Sequence, residues 1–255
     1  MSGKITSVTI IMPTFNEAGN IADLIRESIA AVRDAGIEEI EVLVVDDDSA
    51  DRTWEIASGV TCEPATVRVI RRMSEHGLTK SLRDGIAQAR HEVIVWLDCD
   101  FSHPPQRIPQ LLYMLDQGFD VAVNSRYTIG GGEERAGKGG FLQLALSRIL
   151  NWSVRFLLYP AFSDYTSGFV AVRRSVLDAL PLRGDYGEYF VDFIFRALRS
   201  KYRVCELPYW AAPRRSGESK TGSSLGQYWR RGRKYLWTVL RLRLGTLRGG
   251  LSNER

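Results

Sequence analysis

The feature that most constrains the fold is a repeated alternation of apolar runs with amphipathic helical patterns. Five short runs rich in β-branched residues are apolar on both faces, which is typical of strands buried in a parallel sheet. They span residues 7–13, 39–49, 66–72, 92–98 and 119–126. The stretches between them carry apolar residues at helical spacing, such as Ile21, Leu24 and Ile25. We therefore predict an α/β fold with a doubly wound, mostly parallel sheet and helices on both faces.

The composition is that of an ordinary globular protein. The 255 residues are 44% apolar and 25% charged, which excludes a disordered or fibrous chain. No apolar stretch approaches the roughly 20 residues that span a bilayer, and residues 1–13 lack the layout of a signal peptide. Cys62, Cys99 and Cys205 are widely spaced and follow no metal-ligand pattern. We expect buried thiols in a reducing, cytoplasmic location.

Acidic residues lie where three of the predicted strands end. Glu17 follows the first strand, Asp46 and Asp47 end the second, and Asp98 and Asp100 end the fourth. Ligands of doubly wound sheets bind at the carboxyl ends of the strands, so these carboxylates would meet at one edge. The plainer alternative is that each acid caps the following helix. Gathered carboxylates repel each other, and Mg²⁺ or Mn²⁺ beside a diphosphate relieves that repulsion.

Asp98 and Asp100 are the best candidates for such a cation site. Strand residues two apart share a face, so both carboxylates point the same way. Ser102 and His103 follow closely and are further candidates for ligands. The chain has no P-loop motif, and no G-x-G-x-x-G motif follows the first strand. A P-loop phosphate grip is therefore absent, and a dinucleotide-dependent oxidoreductase is disfavoured.

Several motifs in order resemble the GT-A glycosyltransferases of family 2. They are "IIMPTFNEAGNI", "VLVVDDDSADRTWEIA", "GLTKSLRDGIAQA" and "VIVWLDCDFSHPPQRIPQLL". The later segments "VAVNSRY", "SDYTSGFVAVRRSVLDAL" and "RRSGESKTG" resemble the dolichyl- or polyprenyl-phosphate sugar synthases, the dolichol-phosphate mannose synthase group. This resemblance spans about residues 7–222. It implies an inverting, Mg²⁺- or Mn²⁺-dependent transfer of a sugar from a nucleoside diphosphate sugar to a lipid phosphate.

The resemblance also implies roles for individual residues. The nucleotide sugar would be bound by Pro13, Asn16, Glu17, Asp46, Asp47, Gly77, Asp98, Cys99, Asp100, Arg214 and Lys220. The metal ligands would be Asp98, Asp100 and Ser102, and the catalytic residues would be Asp98, Asp100, Arg126 and Arg148. The two arginines would face the acceptor phosphate, because guanidinium groups form bidentate hydrogen bonds with phosphate. The Gly-rich segment 128–140 resembles an acceptor loop that orders when substrate binds.

Departures from the family pattern leave the acceptor open. Val170 stands after "SGF", where family members often have arginine. An ionised lipid phosphate needs no general base, whereas a glycan hydroxyl would need one, and Asp192 or Glu188 is then the candidate. A nucleotidyltransferase or a nucleotide-binding protein without transferase activity is the other alternative. The sequence does not distinguish GDP-mannose from a UDP-hexose donor.

The C-terminal tail is basic and rich in aromatic and apolar residues. Residues 214–255 contain eleven Lys and Arg and two acidic residues, a local charge of +9 that leaves −5 on the preceding residues. A basic amphipathic helix suits an anionic membrane surface, and packing on the catalytic domain is the alternative. We predict a catalytic domain over residues 1–222 and a tail over 223–255. We expect the tail to attach the protein to the cytoplasmic face of a membrane, with a separate membrane-anchoring protein as a candidate partner and no nucleic acid.

Overall fold

The computed structural model describes residues 4–134, 140–216 and 225–250, and this part of the chain contains nine strands. They are β1 (Ser7–Thr14), β2 (Glu39–Asp46), β3 (Thr66–Arg71), β4 (Val93–Trp96), β5 (Val121–Ser125), β6 (Gly132–Glu133), β7 (Val170–Arg173), β8 (Val204–Pro208) and β9 (Trp210–Ala211). Seven of them form one sheet in the order β3-β2-β1-β4-β7-β5-β8, and β6 pairs with β9. All five predicted strands are present, and the predicted mostly parallel sheet is confirmed.

Strand β7 runs antiparallel to both of its neighbours, β4 and β5. Its residues Val170, Ala171 and Val172 are fully buried. Four residues are too few to show a periodicity, and the sequence analysis did not predict this strand. Because β7 runs in the opposite direction, the loop that enters it lies at the edge where β4 and β5 end.

Helices cover both faces of the sheet. They are α1 (Ile21–Asp34), α2 (Thr53–Ser58), α3 (Leu78–Gln88), α4 (Ile108–Asp116), α5 (Gly140–Leu157), α6 (Arg174–Ala179), α7 (Glu188–Arg199) and α8 (Leu225–Gly250), and a 3₁₀ turn at Pro105–Arg107 precedes α4. Alternate residues of β1 enter opposite cores: Ile10 and Met12 pack on one face, and Ile11 packs on the other. The parallel register of β1 and β2 places Thr14 beside Asp46 at the carboxyl edge.

Gly85 packs α3 tightly against the sheet. A Cβ atom there would lie 2.7 Å from Cγ2 of Ile11, which is fully buried. We expect Gly85→Ala to lower the free energy of unfolding by about 1–3 kcal/mol, because the clash outweighs the better helix propensity of alanine. Urea unfolding measures the change. Gly232→Ala on α8 is the control, since no atom lies within 4 Å of its new Cβ, and a loss there of equal size would contradict the packing argument.

The predicted C-terminal helix is present as α8, and two of its faces are apolar. Tyr235, Val239 and Leu242 pack into the core beside α7. On the other side Trp237 and Leu244 are exposed by 69% and 56%. No helix in the described ranges combines the length and the apolar character needed to cross a membrane.

Candidate active site

Asp46, at the end of β2, organises the loop that follows it. Its carboxylate accepts hydrogen bonds from the Thr14 hydroxyl at 2.8 Å, the Ser49 hydroxyl at 2.6 Å and the Ser49 backbone N–H at 2.8 Å. The side chain is fully buried. Asp46 therefore shapes the predicted nucleotide site from inside and exposes no carboxylate oxygen to a ligand in this structure.

Asp47 joins the end of β2 to the start of α3. Its carboxylate forms a buried ion pair with Arg72 and accepts hydrogen bonds from the Ser81 hydroxyl at 2.8 Å and the Gly77 N–H at 2.7 Å. Gly77 has a φ of +142°, a conformation that favours glycine. Arg72, which also pairs with Asp84 at 2.7 Å, was not among the predicted site residues. Its signal in the sequence is an arginine placed directly after a strand.

The loop after β1 is held against the loop after β2. Asn16, at a φ of +53°, donates its N–H to the Ser49 hydroxyl at 2.8 Å and accepts from the Ala50 N–H through its side chain at 3.1 Å. Glu17 is buried, and its N–H donates to the Thr53 hydroxyl at 2.8 Å. These contacts bring the predicted residues after the first two strands together at the carboxyl edge.

Asp98 and Asp100, which follow β4, lie in different surroundings. The side chain of Asp98 is 54% exposed, whereas Asp100 is buried and accepts hydrogen bonds from the Ser102 N–H at 2.9 Å and the Ser102 hydroxyl at 2.6 Å. The Asp98 N–H donates to Nδ1 of His103 at 2.9 Å. A neutral His103 therefore carries its proton on Nε2, which lies 4.0 Å from an Asp98 oxygen. Phe169 stacks on the His103 ring, with the ring centroids 5.0 Å apart.

The pKa values of this cluster depart from their ordinary values. Desolvation by the surrounding protein raises the pKa of Asp98, and the charge of Asp100 adds to the effect, although one side of the carboxylate is open. Burial alone would raise the pKa of Asp100, but the charge of Arg214 and the hydrogen bonds from Ser102 outweigh it and lower the pKa. Desolvation lowers the pKa of His103 and favours its neutral form.

The segment before residue 217 crosses this cluster. Arg214 contacts Asp100 at 2.7 Å and Glu17 at 3.3 Å, and so joins the ends of β1 and β4. The Ser216 hydroxyl donates to the Asn20 side chain at 2.6 Å, at the start of α1. Arg214 therefore lies among the predicted donor-site residues, and its guanidinium occupies one Asp100 oxygen.

Cys99 and Pro13, two other predicted donor-site residues, contact each other. The thiol of Cys99 is buried and donates to the Pro13 carbonyl at 3.5 Å. Cys99 therefore ties β1 to the loop after β4, and its side chain is directed into the protein. Lys220 lies outside the described residues.

Arg126, at the end of β5, is bound by a buried aspartate. Its Nε and Nη2 donate to the two carboxylate oxygens of Asp164, each at 2.9 Å, and Nη2 also donates to the Thr166 hydroxyl at 2.8 Å. Glu133 lies 3.7 Å away. Burial alone would raise the pKa of Asp164, but the Arg126 charge outweighs it and lowers the pKa. Asp164 stands in the "SDYTSGF" segment, and the sequence analysis assigned it no role.

Arg148 lies on α5, one residue after Ser147. The Ser147 hydroxyl is 3.4 Å from the Tyr127 hydroxyl, next to Arg126. Arg148 is exposed and forms no hydrogen bond or ion pair with any residue that the structure describes. The structure thus places α5 beside Arg126 and leaves the Arg148 guanidinium in solvent. Residues 135–139 of the predicted acceptor loop lie outside the described residues.

The residues at the end of β4 fit a divalent cation that shares its coordination with a substrate. No group of three or more His, Cys, Asp and Glu side chains in the described residues has the arrangement of a complete metal site. Mg²⁺ is commonly held by one or two carboxylates, with substrate phosphates and water as the other ligands. Asp98 offers an open carboxylate, and Asp100 offers a second one if Arg214 moves away from it.

A solved structure of low sequence identity has a similar fold. Glucosyl-3-phosphoglycerate synthase from Mycobacterium tuberculosis, crystallised with Mn²⁺, UDP and glucosyl-3-phosphoglycerate, superposes with a TM-score of 0.66 over 93% of this chain and 80% of that chain. The identity is 18%, so this likeness shows the fold alone. The same enzyme has also been crystallised with Mg²⁺ and UDP. The fold is that of the GT-A glycosyltransferases.

Sequence comparison shows the family. The glycosyl transferase family 2 profile matches residues 9–180. A dolichol-phosphate mannosyltransferase from Pyrococcus furiosus is 33% identical over 88% of this chain and 62% of its own length. A polyprenol monophosphomannose synthase from Mycolicibacterium smegmatis is 32% identical over 84% and 81%, and an undecaprenyl-phosphate mannosyltransferase from Micrococcus luteus is 31% identical over 93% and 99%. The chain belongs to glycosyl transferase family 2, and the predicted class of enzyme is confirmed.

Proposed function

We propose that this chain transfers a hexose from a nucleoside diphosphate sugar, GDP-mannose or a UDP-hexose, to a polyprenyl or dolichyl phosphate. The observation that carries the proposal is the open Asp98 carboxylate beside the Asp100–Arg214 ion pair at the carboxyl edge. This arrangement suits a diphosphate with its cation. The relatives named for mannosyl transfer to lipid phosphates support the acceptor.

The donor side would work through charge. Mg²⁺ or Mn²⁺, when bound at Asp98 and Asp100, would neutralise the leaving diphosphate. Arg214 would then exchange its contact with Asp100 for a contact with a diphosphate oxygen. A guanidinium group can bind either a carboxylate or a phosphate in bidentate fashion. Asp47 and its partners would keep the loop at the start of α3 in place. Ser102, bonded to Asp100, is the remaining proposed metal ligand.

The acceptor side would work through position. A phosphate oxygen of the lipid forms a bond to the anomeric carbon on the face opposite the diphosphate, the bond to the diphosphate oxygen breaks, and the anomeric configuration inverts. The acceptor oxygen is already ionised, so no general base is required. Asp164 holds Arg126 in a fixed orientation, and Arg148 is the exposed cation that we propose for the lipid phosphate.

The structure gives less support to a glycan hydroxyl acceptor. Of the two predicted candidates for the base, Asp192 is 1% exposed and is bound by Arg196 at 2.6 Å and Arg241 at 2.8 Å. Glu188 is buried, and one of its oxygens accepts from the Asp185 N–H at 3.1 Å. Neither carboxylate contacts the residues after β4 in the described part of the chain.

We further propose that the tail, residues 223–255, attaches the catalytic domain, residues 1–222, to the cytoplasmic face of a membrane. The exposed apolar side of α8, which includes Trp237 and Leu244, supports this proposal. Arg233 and Arg243 border that side. Helix α5 packs against α8 and exposes Trp152 by 66% and Phe156 by 70%. Aromatic and basic side chains together suit an anionic interface. A separate membrane-anchoring protein would serve the same purpose.

Nucleotide titration tests the donor site. We expect either GDP or UDP to bind the purified chain tightly only with Mn²⁺, and Asp98→Ala to weaken binding at least about tenfold, because the open carboxylate is a proposed metal ligand. Calorimetry measures both. Asp48→Ala removes another aspartate after a strand, one that pairs with Arg71, and should leave affinity unchanged. Absence of binding by both nucleotides would overturn the proposed function.

Vesicle binding tests the membrane surface. We expect Trp152→Ser with Trp237→Ser to lower binding to vesicles of anionic lipid by about tenfold or more, because both indoles would enter the interface. Co-sedimentation gives the bound fraction. Tyr113→Ser, which alters an aromatic residue on α4 that is 60% exposed, is the matched control. Equal binding by the double variant and the control would count against this surface.

A further inference from the structure

A cavity of about 350 Å³ lies between α7 and α8, and none of its lining residues belongs to the candidate active site. Four arginines line it: Arg183, Arg196, Arg199 and Arg241. Asp192 is the acidic residue in the lining, and Phe195 and Leu242 form part of the apolar wall. Arg241 and Leu242 belong to α8, so the cavity exists only because this helix is packed on α7.

Positive charge exceeds negative charge in this cavity. Both oxygens of Asp192 are used, one by Arg196 at 2.6 Å and the other by Arg241 at 2.8 Å. Arg183 and Arg199 are exposed and form no ion pair or hydrogen bond with other described residues. One carboxylate therefore faces four guanidinium groups, which leaves a net charge of about +3 in a space that admits a small anion.

Arg196 also lacks a hydrogen-bond acceptor for one of its nitrogen atoms. Its Nε donates to Asp192, and its Nη2 donates to the Pro181 carbonyl at 2.8 Å. Its Nη1 is buried and has no hydrogen-bond partner among the described residues. A buried donor without a partner is unfavourable, because it has lost water and gained nothing. Burial, together with the charges of Arg183 and Arg241, also lowers the pKa of Arg196 below its ordinary value.

We propose that this cavity binds a phosphate group. Phosphate presents several acceptor oxygens, and arginine guanidinium groups match its geometry in pairs. A bound phosphate would accept from the exposed guanidinium groups of Arg183 and Arg199 and would neutralise part of the positive charge of the cavity. The phosphate is either free in solution or the head group of an anionic lipid. The second source fits the position of Arg241, which is 51% exposed and lies between Leu240 and Leu244 of the exposed apolar side of α8.

The first test is titration of the full chain with inorganic phosphate. The double variant Arg183→Gln with Arg199→Gln removes two exposed guanidinium groups that have no partner among the described residues, so the fold should be retained, as circular dichroism will check. We expect phosphate to bind the double variant at least about tenfold more weakly at this site. Arg26→Gln with Arg90→Gln is the control with the same loss of charge, because both residues are exposed and lie outside the cavity.

Vesicles separate the two sources of phosphate. Phosphatidylcholine vesicles with and without phosphatidic acid are compared for the wild-type chain, the cavity variant and the control. Loss of the phosphatidic-acid preference in the cavity variant alone identifies a lipid head group, and its retention with loss of inorganic phosphate binding identifies free phosphate. Equal phosphate and vesicle binding by the cavity variant and the control would overturn the inference. The inference does not rest on sugar transfer. The nucleotide titration with Asp98→Ala tests the active site, and its result does not depend on phosphate binding in the cavity.

Discussion

Asp98→Asn is expected to lower the rate of sugar transfer by about 10³-fold and to leave the fold intact. The substitution keeps the shape of the side chain and removes the charge that would hold the cation beside the leaving diphosphate. The pKa of Asp98 is raised in the folded protein, so its ionised form opposes folding at neutral pH. The neutral amide removes that penalty, and we expect the free energy of unfolding to stay constant or to rise.

The measured quantity is the rate at which labelled sugar is transferred to polyprenyl phosphate at saturating Mn²⁺. The donor is the nucleotide sugar whose nucleotide the chain is found to bind. Asp48→Asn is the matched control, because Asp48 also follows a strand and is paired with Arg71 on the surface. Transfer by Asp98→Asn at the rate of this control would remove Asp98 from the proposed metal site. Urea unfolding of the same preparations shows whether a loss of activity arises from a loss of structure.

Asp164→Asn is expected to lower the free energy of unfolding by about 3–5 kcal/mol, which is among the largest effects of any single substitution. Asp164 is fully buried and accepts hydrogen bonds from both Nε and Nη2 of Arg126. Its removal leaves a charged guanidinium, 11% exposed, without its principal partner. Asp23→Asn is the control, because Asp23 pairs with Arg26 on the surface, where such pairs contribute little.

Two further measurements distinguish the contribution of the ion pair to stability from the contribution of side-chain packing. The double variant Asp164→Asn with Arg126→Gln should recover part of the loss, since the buried guanidinium charge that lost Asp164 is removed as well. The pKa of Asp164 is lowered by folding, so its stabilisation is full above the ordinary aspartate pKa, about 3.9, and is lost as the pH falls through the lower folded value. The difference between wild type and Asp164→Asn should therefore shrink in acid. A difference that is constant with pH would contradict the ion-pair explanation.

The meeting of acidic residues at one edge of the sheet, the proposed donor half of the site, could be predicted from the sequence because these residues follow parallel strands. Asp47, Asp98 and Glu17 each stand within three residues of the end of a strand, and the rule for strand ends places them at one edge. Neither Arg214 nor its contact with Asp100 follows from that rule. Arg214 was found through the family motif, and only the folded chain brings it within 2.7 Å of Asp100.

The acceptor half was less predictable, and the reason is topological. Asp164 lies 38 residues from Arg126 in the chain and reaches it because β7 is inserted between β4 and β5. A strand of four residues, three of them buried, shows neither helical nor strand periodicity, so the strand and its entering loop had no local signal. Asp192 was predicted as a candidate base for its residue type. Its ion pair with Arg196 is a contact four residues apart within α7, whereas its ion pair with Arg241 depends on the packing of α8, which no pattern within α7 contains.

The reversed direction of β7 also divides the working edge into two parts of different origin. Asp47 and Asp98 stand on segments that leave parallel strands, whereas Asp164 stands on a segment that enters an antiparallel one. Under the proposed function, the first group handles the nucleotide and the second positions the arginine for the lipid. Under this proposal, substitutions between Ser163 and Gly168 that keep Asp164 are expected to alter acceptor preference, and this short stretch is a place to engineer or diversify specificity.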